Sequence, residues 1–169
     1  MVKGMKRAII FYSFEGNTRE AAEKISKIIG ADLIEIKPIN DIPESGPGKF
    51  MAGGGKALFG FGSAFHSVKE DLDSYDEFIL GTPIWAGRTA PYLMAFLKNE
   101  SIRSKFTGVF TLSGSGNNKS CLKQLKKKLP NLRYDVSICD RVGRNEDETN
   151  KAIELFAGNY KISNEDLKT

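Results

Sequence analysis

The chain has 169 residues and a mass of 18.7 kDa, and 40% of its residues are hydrophobic and 27% are charged. These values fit one soluble globular domain and exclude collagen-like, coiled-coil and wholly disordered proteins. No apolar run reaches the roughly 18 residues of a membrane span and no cleavage site follows the N-terminus, so we expect a cytoplasmic protein. Cys121, Cys139 and the only histidine, His66, are too few for a disulfide scaffold, an iron–sulfur site or a self-contained zinc site.

The net charge of +4 is unevenly distributed along the chain. Residues 1–97 carry 11 basic and 12 acidic side chains, residues 98–144 carry 11 and 3, and residues 145–169 carry 3 and 6. The middle segment therefore favours an anionic partner. The sequence leaves three interpretations of its lysines open: a solvated face, a docking surface for an acidic partner, or a nucleic-acid site. Nucleic acid is the less favoured partner, because only Tyr134 lies among the basic residues as a stacking platform.

The first half of the chain predicts three strands and one long helix. Arg7–Tyr12 is a β-branched and aromatic run that predicts a strand, and apolar residues at helical spacing between 21 and 29 predict a helix that Gly30 closes. Leu33–Ile36 predicts the second strand and Glu77–Gly81 the third.

The second half continues the alternation. Thr89 is predicted to cap a short helix, and Thr107–Leu112 is the fourth predicted strand. A helix that ends at Pro130, a fifth strand at Tyr134–Cys139 and a last helix at Glu146–Gly158 follow. The alternation of strands and helices indicates βαβ units and a mostly parallel, doubly wound α/β sheet, in a single domain spanning residues 1–169.

Residues 38–76 interrupt this alternation, because the expected second crossover helix is missing or displaced. Seven glycines lie between Ser45 and Phe65, with aromatic residues interleaved among them. A flexible linker would be polar, so we interpret the insertion as a loop or irregular helix packed near a functional site, or as structural filler.

Three loops follow predicted strands at the edge where an open α/β sheet binds its ligands. The first, Ser13–Thr18, leads directly into a helix, whose free N–H groups and positive dipole end favour an anion. Because the loop contains no lysine or arginine, it suits a phosphate monoester that is bound rather than cleaved. The alternative is an ordinary strand–helix turn.

The other two loops suit the ring of a ligand. Gly81–Pro91 contains the only tryptophan, Trp85, which is suited to stacking on an aromatic ligand or else folds back over the sheet edge. Ser113–Asn118 offers small residues and amides that can hydrogen-bond a polar ring edge, or it is simply a glycine-rich turn.

Taken together, Ser-x-x-Gly-Asn-Thr in the first loop and Gly-Thr-Pro-x-Trp-x-Gly in the second resemble the FMN-binding loops of the flavodoxin-like family. The resemblance extends from about Arg7 to Cys139. It implies FMN as the cofactor and a doubly wound five-stranded parallel sheet of order 2-1-3-4-5 with helices on both faces. It implies a site built from three sets of residues: Ser13, Glu15, Gly16, Asn17 and Thr18 around the phosphate, Thr82, Pro83, Ile84, Trp85, Ala86 and Gly87 along the isoalloxazine, and Ser113, Gly114, Ser115, Gly116 and Asn117 at its pyrimidine edge.

The resemblance also implies a mechanism for tuning the flavin. The Ala86–Gly87 peptide would lie near flavin N5, where Gly87 lets the peptide turn as N5 gains a proton. Two features depart from the family pattern: the third loop has no aromatic residue, and the surrounding chain is neutral to basic. The outer face of the flavin is therefore open to a substrate, or it is covered by an aromatic of the insertion: Phe59, Phe61 or Phe65.

The resemblance implies an FMN protein in electron transfer, working with a redox partner protein or a small-molecule electron acceptor. An NAD(P)H-dependent FMN- or quinone-type reductase is the alternative, and a binding module for nucleic acid or an acidic partner through residues 98–144 is an alternative of another class. We expect no catalytic acid–base pair, because the flavin supplies the redox chemistry. We also expect no metal and no membrane partner, and a homodimer is left open.

Overall fold

The computed structural model describes residues 4–39, 64–140 and 145–165. Its strands are β1 (Arg7–Phe11), β2 (Asp32–Glu35), β3 (Glu77–Trp85), β4 (Arg88–Thr89), β5 (Phe106–Ser113) and β6 (Tyr134–Cys139). Its helices are α1 (Asn17–Ile29), α2 (Pro91–Phe96), α3 (Lys119–Lys126) and α4 (Glu146–Glu165), with 3₁₀ turns at Leu72–Ser74 and Glu100–Lys105.

The strands pair in the order β2-β1-β3-β5-β6, and every neighbouring pair in this path is parallel. Only the two-residue β4 lies outside the path among the described strands, pairing antiparallel with the end of β3. The five parallel strands therefore have the predicted order 2-1-3-4-5, which confirms the doubly wound α/β fold. The strand order reverses beside β1, so β1 and β3 lead into helices on opposite faces at the edge where ligands bind.

Two apolar clusters cover the two faces of the sheet. Ile9 belongs to the cluster under α1 and α4, whereas its neighbour Ile10 belongs to the cluster under α2 and α3. This alternation follows from the two-residue period of a strand that is buried on both faces. The continuous apolar runs in the sequence thus encode a sheet with helices on both sides.

The first helix forms as the sequence predicts. Its inner face buries Ala21, Ala22 and Ile25, and it ends at Gly30, whose left-handed φ of 68° lets its N–H donate to Ser26 O at 2.8 Å. The helix begins after Gly16, which has a φ of 94°. The chain can therefore turn sharply from β1 into α1.

The third strand is longer than predicted. The sequence places its end at Gly81, but β3 continues to Trp85, so Thr82, Pro83 and Ile84 lie in the strand rather than in a loop. Beyond Gly81, β3 has no further register partner in β1, so Pro83 removes no ladder hydrogen bond on that side. Pairing with β4 then extends the strand as a hairpin.

The predicted helix cap at Thr89 is wrong. The residue before α2 is Ala90, which makes no side-chain cap, and Pro91 occupies the first turn. The Thr89 hydroxyl instead contacts Cys121 in α3. Other boundaries also shift. β1, β2 and β5 each differ by one residue at one or both ends, α3 ends at Lys126 before the predicted Pro130, and α4 extends past Gly158 to Glu165.

The insertion is described only at its two ends. Pro38 and Phe65 form an antiparallel bridge, and the Phe65 ring contacts Phe96 of α2 at a centroid distance of 5.9 Å. The predicted loop with Phe59 and Phe61 falls on residues 40–63, outside the described residues.

A buried ion pair lies at the opposite edge of the sheet from the three loops. Arg7 and Glu77 are register partners at the starts of β1 and β3, and Arg7 Nε donates to Glu77 Oε2 at 2.7 Å. Thr107, at the start of β5, donates to the other carboxylate oxygen. Because this carboxylate is satisfied by groups of the fold itself, we assign it to the stability of the sheet.

Candidate functional site

A cavity of about 400 Å³ lies at the carboxyl edge of the sheet, between the β3–β4 hairpin and the loop after β5. Its lining residues come from two of the predicted loops and the first turn of α3: Ile84, Ala86, Gly87, Ser113, Gly114, Ser115, Asn117 and Ser120. Sequence reasoning missed Ser120. The signal that could have found it is its position in the helix that directly follows the third loop.

The hairpin turn forms one wall of this cavity. Trp85 pairs with Arg88, so Ala86 and Gly87 are the two central residues, and both have positive φ, 49° and 73°. Two central residues with positive φ are typical of the type I′ turn that connects tightly paired strands. A Cβ placed on Gly87 would lie 3.6 Å from Ser120 Cβ, so the turn faces the start of α3 directly.

Thr82 and Pro83 lie in β3 before the hairpin turn, and Thr82 hydrogen-bonds the residue that follows β4. Both are buried, and the Thr82 hydroxyl donates to Pro83 O at 2.8 Å and accepts from Ala90 N at 3.2 Å. Neither is among the cavity-lining residues of the described part of the chain. Their predicted contact with the isoalloxazine stays a prediction.

The third loop supplies polar groups to the opposite wall. Gly116 has a φ of 67°, and its N–H donates to Ser113 O at 3.2 Å, which closes the turn. Asn117 Oδ1 accepts from Lys119 N at 3.2 Å and so joins the loop to α3. The Ser113 hydroxyl is buried and has no hydrogen-bond partner among the described residues. A buried hydroxyl without a partner is costly, so a ligand atom that bonds it would gain stability.

The first loop presents a helix N-terminus. The first bond within α1 runs from Glu20 N to Gly16 O at 2.9 Å, so the N–H groups of the three residues before Glu20 have no partner within the helix. Ser13 Oγ accepts a hydrogen bond from the backbone N–H of Arg19 at 3.2 Å. The backbone N–H groups of Asn17 and Thr18 therefore remain for a ligand.

The side chains of this loop differ in exposure. Ser13 and Thr18 are buried, Asn17 is half-buried and Glu15 is exposed. Arg19 is engaged with Glu35 at 2.6 Å. An anion at this helix would therefore meet backbone N–H groups rather than a free guanidinium.

Trp85 connects the first loop to the cavity. Its ring is half-buried and lies nearly perpendicular to Tyr12 and Phe14, with centroid distances of 5.6 and 6.0 Å. Phe14 belongs to the first loop, and Ala86, directly after Trp85, lines the cavity. Trp85 thus contacts the first loop through Phe14 and adjoins the cavity through its chain neighbour Ala86, and its stacking on a ligand stays a prediction.

The remaining candidate groups lie away from this site or are part of the fold. His66 is exposed, and Cys121 is fully buried, as predicted for a core thiol. Burial raises the pKa of the Cys121 thiol. Within residues 4–39, 64–140 and 145–165, we find no cluster of potential metal ligands and no helix long and apolar enough to span a membrane.

No protein-family model and no curated protein matches this chain. Solved structures do match. A flavoprotein from Lactobacillus acidophilus NCFM in complex with FMN has a TM-score of 0.64 and 21% identity, covering 88% of this chain and 98% of that one. A WrbA-like flavodoxin from Agrobacterium tumefaciens has a TM-score of 0.61 and 18% identity, covering 94% and 96%.

A third structure, the two-electron reduced flavodoxin of Megasphaera elsdenii, has a TM-score of 0.54 and 18% identity, covering 90% of this chain and 98% of that one. At such identities the likeness shows the fold. Together with the strand order, it establishes that this chain has the flavodoxin-like fold.

Proposed function

We propose that this protein binds FMN and acts in electron transfer. The observation that carries the proposal is the contact of Trp85 with Phe14, because Phe14 belongs to the loop that leads into α1 and Ala86, next to Trp85 in the chain, lines the polar cavity. FMN has the matching parts, a phosphate at one end and an aromatic ring with polar edges at the other. The FMN-bound flavoprotein of Lactobacillus acidophilus, which shares the fold, supports the same cofactor.

The residues present fit this cofactor. The N–H groups of Asn17 and Thr18 at the start of α1 would bind the phosphate, helped by the positive end of the helix dipole. The buried Ser113 hydroxyl has no partner among the described residues, and a polar atom at the ring edge would supply one. A cavity of about 400 Å³ lies within the size range of small-molecule sites.

Each wall of the site has a distinct role in this proposal. Bound FMN supplies one- and two-electron redox chemistry, and the protein orients it and sets its electrostatic environment. The Ala86–Gly87 turn would present backbone groups to the ring, and Ser113 and Asn117 would hydrogen-bond its polar edge. Trp85 would stack on the ring.

FMN titration of the purified protein, stripped of any bound flavin, tests this function. We expect binding at a ratio of one to one, followed by flavin absorbance and by quenching of flavin emission. FMN should bind at least about tenfold more tightly than riboflavin, because one charged hydrogen bond contributes roughly 1.5–3 kcal/mol. Equal affinities would contradict the phosphate assignment, and the absence of binding would overturn the proposed cofactor.

A small-molecule reductase is the second candidate. The third loop has no aromatic residue, so nothing from Ser113–Asn117 covers the outer side of the cavity with a ring. A nicotinamide nucleotide could approach from that side and reduce the flavin without a partner protein. Anaerobic stopped-flow mixing of the FMN-loaded protein with NADH or NADPH separates the two candidates. Rapid flavin reduction would favour the reductase, and reduction on the scale of minutes or slower would favour the carrier.

A further inference from the structure

The exposed side of α3 carries a dense group of positive charges. A shallow groove of about 490 Å³ runs over Leu122, and the four lysines around it are all exposed. We call these residues the lysine face: Lys119, Lys123, Lys126 and Lys127.

Among the described residues, no ion pair neutralises the charge of the lysine face. None of its four lysines forms an ion pair with a carboxylate among the described residues, whereas Lys24 of α1 pairs with Glu20 at 2.8 Å. Residues 101–134 contain eight lysines and arginines and no aspartate or glutamate. Like charges four residues apart, such as Lys119 and Lys123, destabilise a helix. An anionic surface bound against α3 would offset this repulsion, because its negative charges would attract the lysines.

The lysine face lies next to the candidate cofactor cavity. Ser120, which lines the cavity, directly follows Lys119 in the first turn of α3. The inner side of the same helix is bound to the hairpin, because Gln124 Oε1 accepts from Thr89 N at 3.3 Å. A partner that covers the outer side of α3 would therefore lie beside the mouth of the cavity.

We propose that the lysine face docks an acidic surface of a redox partner protein and brings the partner's redox centre close to the cavity. The inference rests on the proposed electron-transfer function and names the chemistry of the partner. Complementary charge accelerates such encounters and orients them, and weak electron-transfer complexes use small interfaces. The apolar floor at Leu122 adds a contact that water cannot supply.

Protein carboxylates fit this surface better than nucleic acid does. Tyr134 packs against the apolar cluster on the opposite face of the sheet from α3, with its ring against Tyr160 at 5.4 Å. It therefore offers the lysine face no stacking platform for a base. The groove itself has no arginine to bind a phosphate with two parallel hydrogen bonds.

The probe for this inference is a plant-type [2Fe–2S] ferredoxin of net negative charge, with a cytochrome c of net positive charge as its counterpart. Binding of each labelled probe is measured by fluorescence anisotropy, on the flavin-free protein and on the protein saturated with FMN. We expect ferredoxin to bind at about 20 mM salt and to lose at least about tenfold in affinity at 200 mM salt, because screening weakens exposed charge pairs. Cytochrome c should not bind.

Two variants with the same change in net charge locate the surface. In the first, the lysine face is reversed: Lys119→Glu, Lys123→Glu, Lys126→Glu and Lys127→Glu. In the control, four exposed lysines elsewhere are reversed: Lys27→Glu, Lys69→Glu, Lys98→Glu and Lys151→Glu. The lysine-face variant should bind ferredoxin at least about tenfold more weakly than the control, since contact charges contribute more than distant ones.

The outcomes separate docking from cofactor binding. Equal losses in both variants, or the absence of ferredoxin binding at low salt, would overturn the docking proposal even if FMN binds. Tighter binding of a DNA duplex than of ferredoxin at about 150 mM salt would assign the surface to nucleic acid instead. Failure of FMN to bind, with lysine-dependent ferredoxin binding intact, would overturn the proposed cofactor and leave the acidic-partner surface in place.

Discussion

The Thr89 hydroxyl oxygen lies 3.2 Å from the Cys121 sulfur, and both side chains are buried. The contact joins β4 to α3, two elements that are 32 residues apart in the chain. Gly87, in the turn directly before β4, and Ser120, directly before Cys121 in α3, line the cavity. The buried contact therefore holds the two walls of the cavity at their spacing.

The two cysteines should differ in their reactivity toward Ellman's reagent. Burial raises the pKa of the Cys121 thiol, and the hydrogen bond between Cys121 and Thr89 opposes this only in part. Since the thiolate is the reactive form, Cys121 should be inert in the folded protein at pH 8, and the half-buried Cys139 should react. We expect one fast equivalent in the native protein and two after denaturation. Cys139→Ser should abolish the fast equivalent, and two fast thiols in the native protein would contradict the packing of α3.

Ala86→Asn should stabilise the protein. Ala86 is the only described residue other than glycine with positive φ, and a left-handed conformation costs alanine about 1–2 kcal/mol. Asparagine tolerates this conformation and is preferred in type I′ turns, so the free energy of unfolding should rise by about 0.5–1 kcal/mol. Ala86→Val is the opposing variant and should lower it. Urea denaturation measures both, and a more stable Ala86→Val variant would be inconsistent with the turn geometry.

Asn17→Asp should weaken FMN binding. The substitution places a negative charge at the start of α1, where we expect the phosphate, and such a charge should cost roughly 2–4 kcal/mol of FMN affinity. Riboflavin lacks the phosphate, so its affinity should change little.

The matched control for this charge change is Asn99→Asp. Asn99, like Asn17, lies at the start of a helical segment. It is the N-cap of its 3₁₀ turn, where its Oδ1 accepts from Ser101 N at 3.2 Å, and an aspartate can replace it there. Because aspartate suits helix N-termini, neither variant should lower the melting temperature. If both variants bind FMN as the unmodified protein does, the phosphate lies elsewhere.

Trp85 should report FMN binding directly. It is the only tryptophan in the chain, so its emission has one source and should be quenched when FMN binds beside it. Trp85→Ala should cost about 1–2 kcal/mol of FMN affinity, the scale of an aromatic stacking pair, and Trp85→Phe should recover part of that loss. Unchanged emission and affinity would make Trp85 a packing residue of the Tyr12–Phe14 cluster.

Stability should fall as pH rises into the alkaline range. Burial, with a hydrogen bond to Asp32 at 2.8 Å, raises the pKa of Tyr75 to about 12, and burial also raises the pKa of Tyr160 and Cys121. In the unfolded chain such groups titrate near about 8.5–10. Above this range the unfolded state binds fewer protons than the folded state, so the free energy of unfolding decreases with pH.

The decline should begin at about pH 8, where unfolded-state thiols begin to lose protons, and it should steepen at about pH 10 as unfolded-state phenols follow. It should continue toward the pKa of folded Tyr75, about 12. Urea denaturation at a series of pH values between 7 and 11 measures it. Tyr75→Phe removes one of the titrating groups and should make the decline above pH 10 shallower. A stability profile that stays flat to pH 11 would contradict the raised pKa values.

The sequence alone was sufficient for the five parallel strands and the three loops at the ligand-binding edge. The strand order followed from the resemblance of these loops to those of the flavodoxin-like family. Apolar runs bounded by Gly and Pro encode strands buried on both faces, and Gly30 marks a helix end because of its backbone freedom. Seven of the residues that the resemblance assigns to the cofactor line the cavity, and their contact with a cofactor stays a prediction. These features depend on local patterns and on the rule that parallel strands end at one edge.

The contacts between distant segments were decided only in three dimensions. Sequence reasoning ended β3 at Gly81 and assigned a cap to Thr89, because it could not detect that β4 pairs with β3 or that α3 packs against β4. Ser120 lines the cavity, and the lysine face lies next to it, because α3 packs against β4. Sequence reasoning could not detect that packing. Local propensity determines which element a segment forms, whereas the partner that buries its surface depends on packing between residues far apart in the chain.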